Sequence, residues 1–267
     1  MAKLTKAPVF YVVAQVTHSP ILKLESLIPD LQERLRKDGF PGYRAHKQSL
    51  IEVRQDTSNL SDTAVQFVEE TTHIFASRDQ TESLLISSGS VSYQTVEYGT
   101  IASFQEKFER GISAVKDVLA PDSFTRVGLR FLDAVVPLDG ADLAAYVKTQ
   151  FLGLQNILGE DWLTSYTFSE TVMMRRDRQT KVRAITRSSP LSFPPDLALT
   201  APPLPERFRS IEGVHALLDS DASFTADNKK AQDFDKQNIM ARLGELKKDI
   251  TDTFHAVVTD VALKDWT

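Results

Sequence analysis

The chain has 267 residues and no cysteine among them. That excludes disulfides, thiolate nucleophiles, zinc ribbons and iron–sulfur clusters, each of which needs cysteine sulfur. Long apolar runs are missing as well: no stretch reaches the ~18 consecutive apolar residues of a membrane-spanning helix, so no membrane is expected. Positive charge is not in excess, since 31 Lys+Arg against 36 Asp+Glu leaves a net −5. Nucleic acid is therefore not favoured as a partner, because its backbone attracts net positive surfaces. The first six residues, Met1 to Lys6, show none of the charged start and apolar core of a secretion signal, and the expected location is cytoplasmic.

Nucleotide and hydrolase motifs are also absent. There is no G-x-x-x-x-G-K-[ST], no G-x-G-x-x-G and no G-x-S-x-G. His18, His46, His73, His215 and His255 are scattered, without the i, i+4 spacing that sets two imidazoles on one metal. No cofactor is expected, and nothing marks a catalytic residue.

What is present reads as alternating local patterns. Residues 8–17, Pro8 through Thr17, are rich in β-branched and aromatic side chains and predict a strand. Leu24, Leu27, Ile28, Leu31 and Leu35 recur at helical intervals, and Gly39 with Pro41-Gly42 stops that helix. Residues 43–54 predict a strand, 59–63 a polar turn, and 66–77, 82–87 and 90–96 an antiparallel meander. Phe104, Phe108, Ile112, Val115 and Leu119 make one face of an amphipathic helix over 101–119. A strand follows over 124–136. Helical segments are predicted over 141–151 and 152–158, then a hairpin of strands over 165–175 and 181–187 and a strand over 213–225. Ile239, Leu243, Leu246, Ile250, Phe254, Val257 and Val261 step by 4, 3, 4, 4, 3 and 4, which predicts one long C-terminal helix over 233–263.

Strands in runs between helices, without strict alternation, predict an α+β fold: antiparallel sheets packed by amphipathic helices. The division is expected near 137–140, giving two similar α+β halves, 1–137 and 138–267. Residues 189–205 hold six of the twelve prolines and predict an ordered, non-helical arm. Its Pro194, Pro195, Pro202 and Pro203 are candidate partner contacts.

Two charged constellations are candidate sites. In Arg126-Val127-Gly128-Leu129-Arg130-Phe131, strand alternation puts Arg126, Gly128 and Arg130 on one face. Two guanidinium forks beside a glycine can grip a small anion such as phosphate or carboxylate. The plainer reading pairs both arginines with acidic residues of a covering helix, with a bulge at Gly128. In Asp219-Ser220-Asp221 two carboxylates share a strand face, a spacing that can hold Mg²⁺ if a third ligand exists. The plainer reading pairs them with Arg126 and Arg130. The basic hairpin tip Arg175-Arg176-Asp177-Arg178 with Lys181 and Arg183 can touch phosphate, and its plainer reading is a solvated turn.

The segment Phe124 to Phe131 resembles a sporadically distributed, uncharacterised bacterial protein family, whose signature is an Arg-Val/Ile-Gly-Leu-Arg-Phe/Tyr strand after a helix. Phe104-Gln105-Glu106-Lys107-Phe108 and Leu217-Leu218-Asp219-Ser220-Asp221 fit the order of elements. Relatives follow the strand with Asn and a basic residue, where this chain has Asp133-Ala134. The family has no established catalytic residues to carry over, and the resemblance implies an accessory protein of a mobile or defence-associated gene cluster. The missing catalytic motifs, the acidic charge, the long C-terminal helix and the proline-rich arm predict a non-enzymatic accessory or regulatory interaction protein of a bacterial system, antiphage or toxin–antitoxin-like, partnered by another protein or by copies of itself. The alternatives are a small-anion or nucleotide sensor on Arg126 and Arg130, and a Mg²⁺-dependent nucleic-acid or nucleotide enzyme using Asp219 and Asp221.

Overall fold

The computed structural model describes residues 6–55, 63–138, 140–154, 162, 164–226 and 231–267. In chain order, strand β1 (Val9–His18) leads to helix α1 (Leu24–Lys37). Strands β2 (Gly42–Gln55), β3 (Thr63–Ala76), β4 (Glu82–Ser87) and β5 (Ser90–Thr95) follow, then helix α2 (Ile101–Leu119) and β6 (Ser123–Val135). After two short 3-10 turns come β7 (Tyr166–Arg175), β8 (Arg178–Ser188), a one-turn helix α3 (Glu206–Arg209) and β9 (Val214–Thr225). The two-residue β10 (Gln232–Asp233), α4 (Lys236–Val257) and α5 (Asp260–Asp265) close the chain.

The strands form one antiparallel sheet in the order β2-β3-β4-β5-β1-β6-β9-β8-β7, with β10 beside the start of β6. The predicted meander is β3-β4-β5. The sheet runs through the division expected at residue 137, because β6 lies between β1 and β9. Among the described residues, no helix is long and apolar enough to cross a membrane.

Alternation gives the sheet two different faces. Val12, Ala14 and Val16 of β1 and Val127, Leu129 and Phe131 of β6 point at α1, α2 and α4 and form the main core with Leu31, Phe108, Ile112, Leu243 and Ile250. Helix α2 starts at a capping box in which Thr100 Oγ1 accepts from the Ser103 N–H and Ser103 Oγ accepts from the Thr100 N–H. It ends where Ala120 turns left-handed at φ +47°, ahead of Pro121.

Two predicted helices come out differently, and for one reason. The C-terminal helix expected over 233–263 starts at Lys236, capped by Asp235, and stops at Val257. Val258 is extended and bridges to Val147, while Thr259 caps α5 through the Ala262 N–H and donates its hydroxyl to Ala145 O. The apolar spacing continues through the break, so the pattern alone reads as one helix. The helix expected over 141–151 is instead two 3-10 turns, Leu143–Ala145 and Thr149–Phe151, around Val147. Lys148 Nζ donates to the final α4 carbonyls, His255 O at 3.2 Å and Ala256 O at 3.0 Å, where a cation also meets the negative helix end. Of the helix expected over 152–158, residues 152–154 are not helical and 155–158 lie outside the described residues, as do 59–62 of the predicted turn.

The proline-rich arm is an ordered strap across the opposite face. Leu191, Phe193, Leu197, Ala201, Leu204 and Phe208 pack on Phe10, Tyr11, Leu132, Ala134 and Leu217.

Gly111 of α2 lies against β4. A Cβ there would sit 2.3 Å from Leu84 Cδ2. Gly111→Ala should therefore lower stability by about 1–3 kcal/mol, although alanine is the better helix former. Urea unfolding of Gly111→Ala alone and with Leu84→Ala should show a less-than-additive loss, because the second change removes the obstruction.

Candidate functional site

The face opposite the helices carries the charged residues singled out from the sequence. Arg126, Gly128 and Arg130 of β6, Gln15 of β1, Ser92 of β5 and Asp221 of β9 line a polar groove of about 400 Å³, closed at one end by the arm. The pairing registers bring them together: Gln15 lies opposite Gly128, and Arg130 opposite Asp221.

Arg130 is 9% exposed and does not present a free fork. Its Nε and Nη2 donate to the two oxygens of Asp219 at 2.7 and 2.8 Å, and Nη1 donates to Asp196 Oδ2 at 2.5 Å. Asp219 also accepts from Arg183 at 3.0 Å, and Arg183 donates to Glu170 at 2.7 Å. The result is an alternating ladder, Glu170–Arg183–Asp219–Arg130–Asp196, running from β7 through β8, β9 and β6 to the arm. The carboxylates come from a neighbouring strand and the arm, not from a covering helix. β6 keeps regular register at Gly128, and its irregularities with β1 fall at Val9/Tyr11 and Thr17/His18.

Burial works against the Arg130 charge, but the hydrogen bonds it donates to Asp219 and then to Asp196 outweigh that and hold its pKa above the usual range. Asp196 is exposed, and although what desolvation it suffers raises its pKa, the Arg130 contacts win and bring it below the ordinary carboxylate value. The Asp221 side chain makes no hydrogen bond or ion pair among the described residues. Burial raises its pKa against the opposing pull of Arg126 and Arg130.

Arg126 is the more open of the two arginines. Its Nη1 donates to Gln15 Oε1 at 3.3 Å, and its guanidinium lies across Gly128. A Cβ at residue 128 would stand 2.7 Å from Arg126 Nη1. The glycine thus leaves space for the arginine head to lie along the strand. Asp219 and Asp221 share the face, as alternation requires, but Asp219 is committed to two guanidinium groups. Among the described residues no three His, Asp or Glu side chains converge as a metal-binding group. Among the described residues no histidine lines the groove.

The proline candidates divide: Pro202 is buried under its own arm, Pro194 is half-buried, and Pro195 and Pro203 are exposed. The hairpin tip is solvated at Arg175, Arg176 and Asp177, as expected, and is also tied to α4 by ion pairs. Arg175 and Arg178 donate to Asp249 of α4 at 3.0 and 2.7 Å, and Arg242 donates to Asp177 at 3.2 Å.

Sequence reasoning missed Asp196 and Glu170, and it placed Arg183 at the hairpin tip rather than in the ladder. A signal for Asp196 existed, because it is the sole charged residue in 189–205. Arg183 and Glu170 carried none, because their part depends on the β8–β9 and β7–β8 registers.

Asp219→Asn should destabilise the chain by about 3–5 kcal/mol, since it leaves a buried guanidinium short of charge. Asp196→Asn, at an exposed partner, should cost less than about 1 kcal/mol. Urea midpoints of the two variants measure the difference, and equal losses would refute the assignment of Asp219 as the central carboxylate.

A scan of protein-family models and a search of curated proteins find no match to this chain.

Proposed function

We propose that this chain is a non-enzymatic interaction protein that docks a protein partner on the β7 edge of its open sheet face. The observation that carries the reading is the exposure of β7. Tyr166 is 69% exposed, Phe168 55%, Val172 49% and Met174 70%, and all four alternate onto the same side as the groove. Among the described residues β7 is the last strand of the sheet, with no strand beside one side of its backbone. Natural edge strands are ordinarily blunted by lysine, proline or inward charges. This one holds neither lysine nor proline, and its Glu170 is engaged by Arg183. An apolar stripe beside open backbone donors and acceptors fits a partner that adds a strand and covers the rings.

The ion-pair ladder supports the non-catalytic side of the reading. A carboxylate held by two arginines is neither a free base nor an open metal ligand. The role implied by the arginine-strand resemblance is compatible: an accessory subunit of a mobile or defence-associated bacterial system, with another protein or a second copy on the edge. The sheet order also supports two related α+β halves. β1 and β6 lie at the centre, each half returns to its outer neighbour, β5 or β9, and each then enters a helix, α2 or α4.

A second reading, recognition of a small anion, is favoured by Arg126, whose single side-chain hydrogen bond among the described residues leaves donors facing the groove. Asp221 in the same groove limits it to a ligand that also tolerates a carboxyl group.

Native mass spectrometry of the chain purified from its host separates the readings. The wild type should carry a stoichiometric protein partner or a second copy, and Phe168→Lys with Met174→Lys should lose it while keeping its melting temperature. A small bound anion lost in Arg126→Ala would instead establish the second reading. A wild-type monomer carrying nothing would overturn both.

A further inference from the structure

On the helix side of the sheet, away from the groove and from β7, a cavity of about 360 Å³ lies between β6, the start of β1 and the second half of α4. Its walls are mainly apolar: Val9, Tyr98, Phe131, Ile250, Phe254 and Leu263. The Tyr98 ring meets the Phe131 ring edge-on at 5.1 Å between centroids. That volume falls at the small end of ligand sites, which span roughly 300–1,000 Å³ and combine apolar walls with a few converging polar groups.

The polar groups here are not explained by the fold. Asp133 is 5% exposed and lines the cavity. Among the described residues its side chain has no hydrogen-bond or ion-pair partner. A carboxyl so far removed from water ordinarily has a hydrogen-bond partner, and the Asp133 oxygens, which are not fully enclosed, open onto the cavity. It stands where β1 carries an extra residue, Phe10, opposite the Leu132–Asp133 step, and such bulges re-aim side chains beside sites. Facing it is Lys247 of α4. Lys247 Nζ donates to Thr251 Oγ1 at 2.8 Å and stands 4.9 Å from the centre of the Phe131 ring, and it acts on Asp133 through its charge rather than through a hydrogen bond. Burial raises the Asp133 carboxyl to about 7, opposed by Lys247, and burial lowers Lys247, opposed by Asp133. Paired shifts of this kind concentrate at functional sites.

The charge balance selects the ligand. One carboxyl and one amine already face each other in a poorly solvated space. An ionic ligand would leave a net buried charge, whereas a neutral headgroup would not. The headgroup must donate to Asp133 and can accept from Lys247. We propose that this cavity is a binding site for a small, uncharged, mainly apolar molecule with a donor–acceptor headgroup, a primary amide or an alcohol.

Four probes of nearly equal shape test this on the full chain: phenylacetamide, phenylacetate, phenethylamine and ethylbenzene, titrated by NMR. Phenylacetamide should bind saturably, at least tenfold tighter than the other three, and shift resonances of Phe131, Thr251 and Phe254. Asp133→Val should remove the preference for the amide over ethylbenzene and raise the melting temperature. Tighter binding of either ionic probe, no binding by any probe, or shifts confined to the open-face groove would overturn the proposal. Should Asp133→Val not fold, the ranking and shift location on the wild type decide alone.

A pH series adds a second readout. Asp133 binds its proton more readily in the folded chain, so the stabilisation is complete below the unfolded carboxyl value of ~3.9 and is lost as pH rises through about 7. The charged or titratable groups around the cavity are Lys247 and His255 of α4 and Tyr98 ahead of α2. Phenylacetamide should flatten that loss by supplying Asp133 with a donor, and an unchanged pH profile at saturation would count against the assigned contact.

Discussion

A guanidinium buried beneath a loop cannot remain without countercharge, and much of this molecule follows from how Arg130 is supplied with it. Asp219 meets it from the next strand and Asp196 from above. The first contact fixes the β6–β9 register, because a slip of one residue would turn Asp219 and Asp221 into the helix-side core. The second pins the arm on the sheet, where its rings and leucines cover Phe10 and Tyr11. The groove ends where that arm descends. A single buried cation thus sets a strand register, a loop position and the boundary of the open face.

The same sheet divides its chemistry by parity. Even-numbered residues of β6 hold the charges, and odd-numbered residues hold the core as far as Phe131. Asp133 breaks that rule, a carboxyl in the apolar series, and a cavity opens beside it. The open face has the opposite character, with most of its charge neutralised internally and its unmatched feature an apolar edge. Recognition on this molecule is therefore read from the two places where a face departs from its own pattern.

The amphipathic stripe of Phe104, Phe108 and Ile112, the alternation of β6 and the turns of the β3-β4-β5 meander could be read from sequence because each is decided within a few residues. The shared face of Arg126 and Arg130 was legible for the same reason. The break at Val258 was not: its apolar spacing is unbroken, and the extended backbone is held by Val147, more than a hundred positions earlier. The ladder was half legible. Asp219 could be matched with an arginine, but choosing Arg130 over Arg126 requires the diagonal contact across β6 and β9. The cavity left no trace, since Asp133 and Lys247 meet only after α4 lies down on the sheet.

The position of β6 has a consequence for the order in which the molecule is assembled. Besides the two-residue β10, its neighbours come from opposite ends of the sequence, β1 before it and β9 about ninety residues after. A chain emerging from the ribosome can pair β6 with β1 early, yet the other edge of β6 waits for β9 with an arginine already in place. An unmatched cation on a half-built sheet is a deterrent to wrong strands, because apolar edges that would otherwise add there must bury it. Asp219 completes the sheet and removes that deterrent in one step. The residue that most constrains the finished fold thereby also guards its unfinished edge during synthesis.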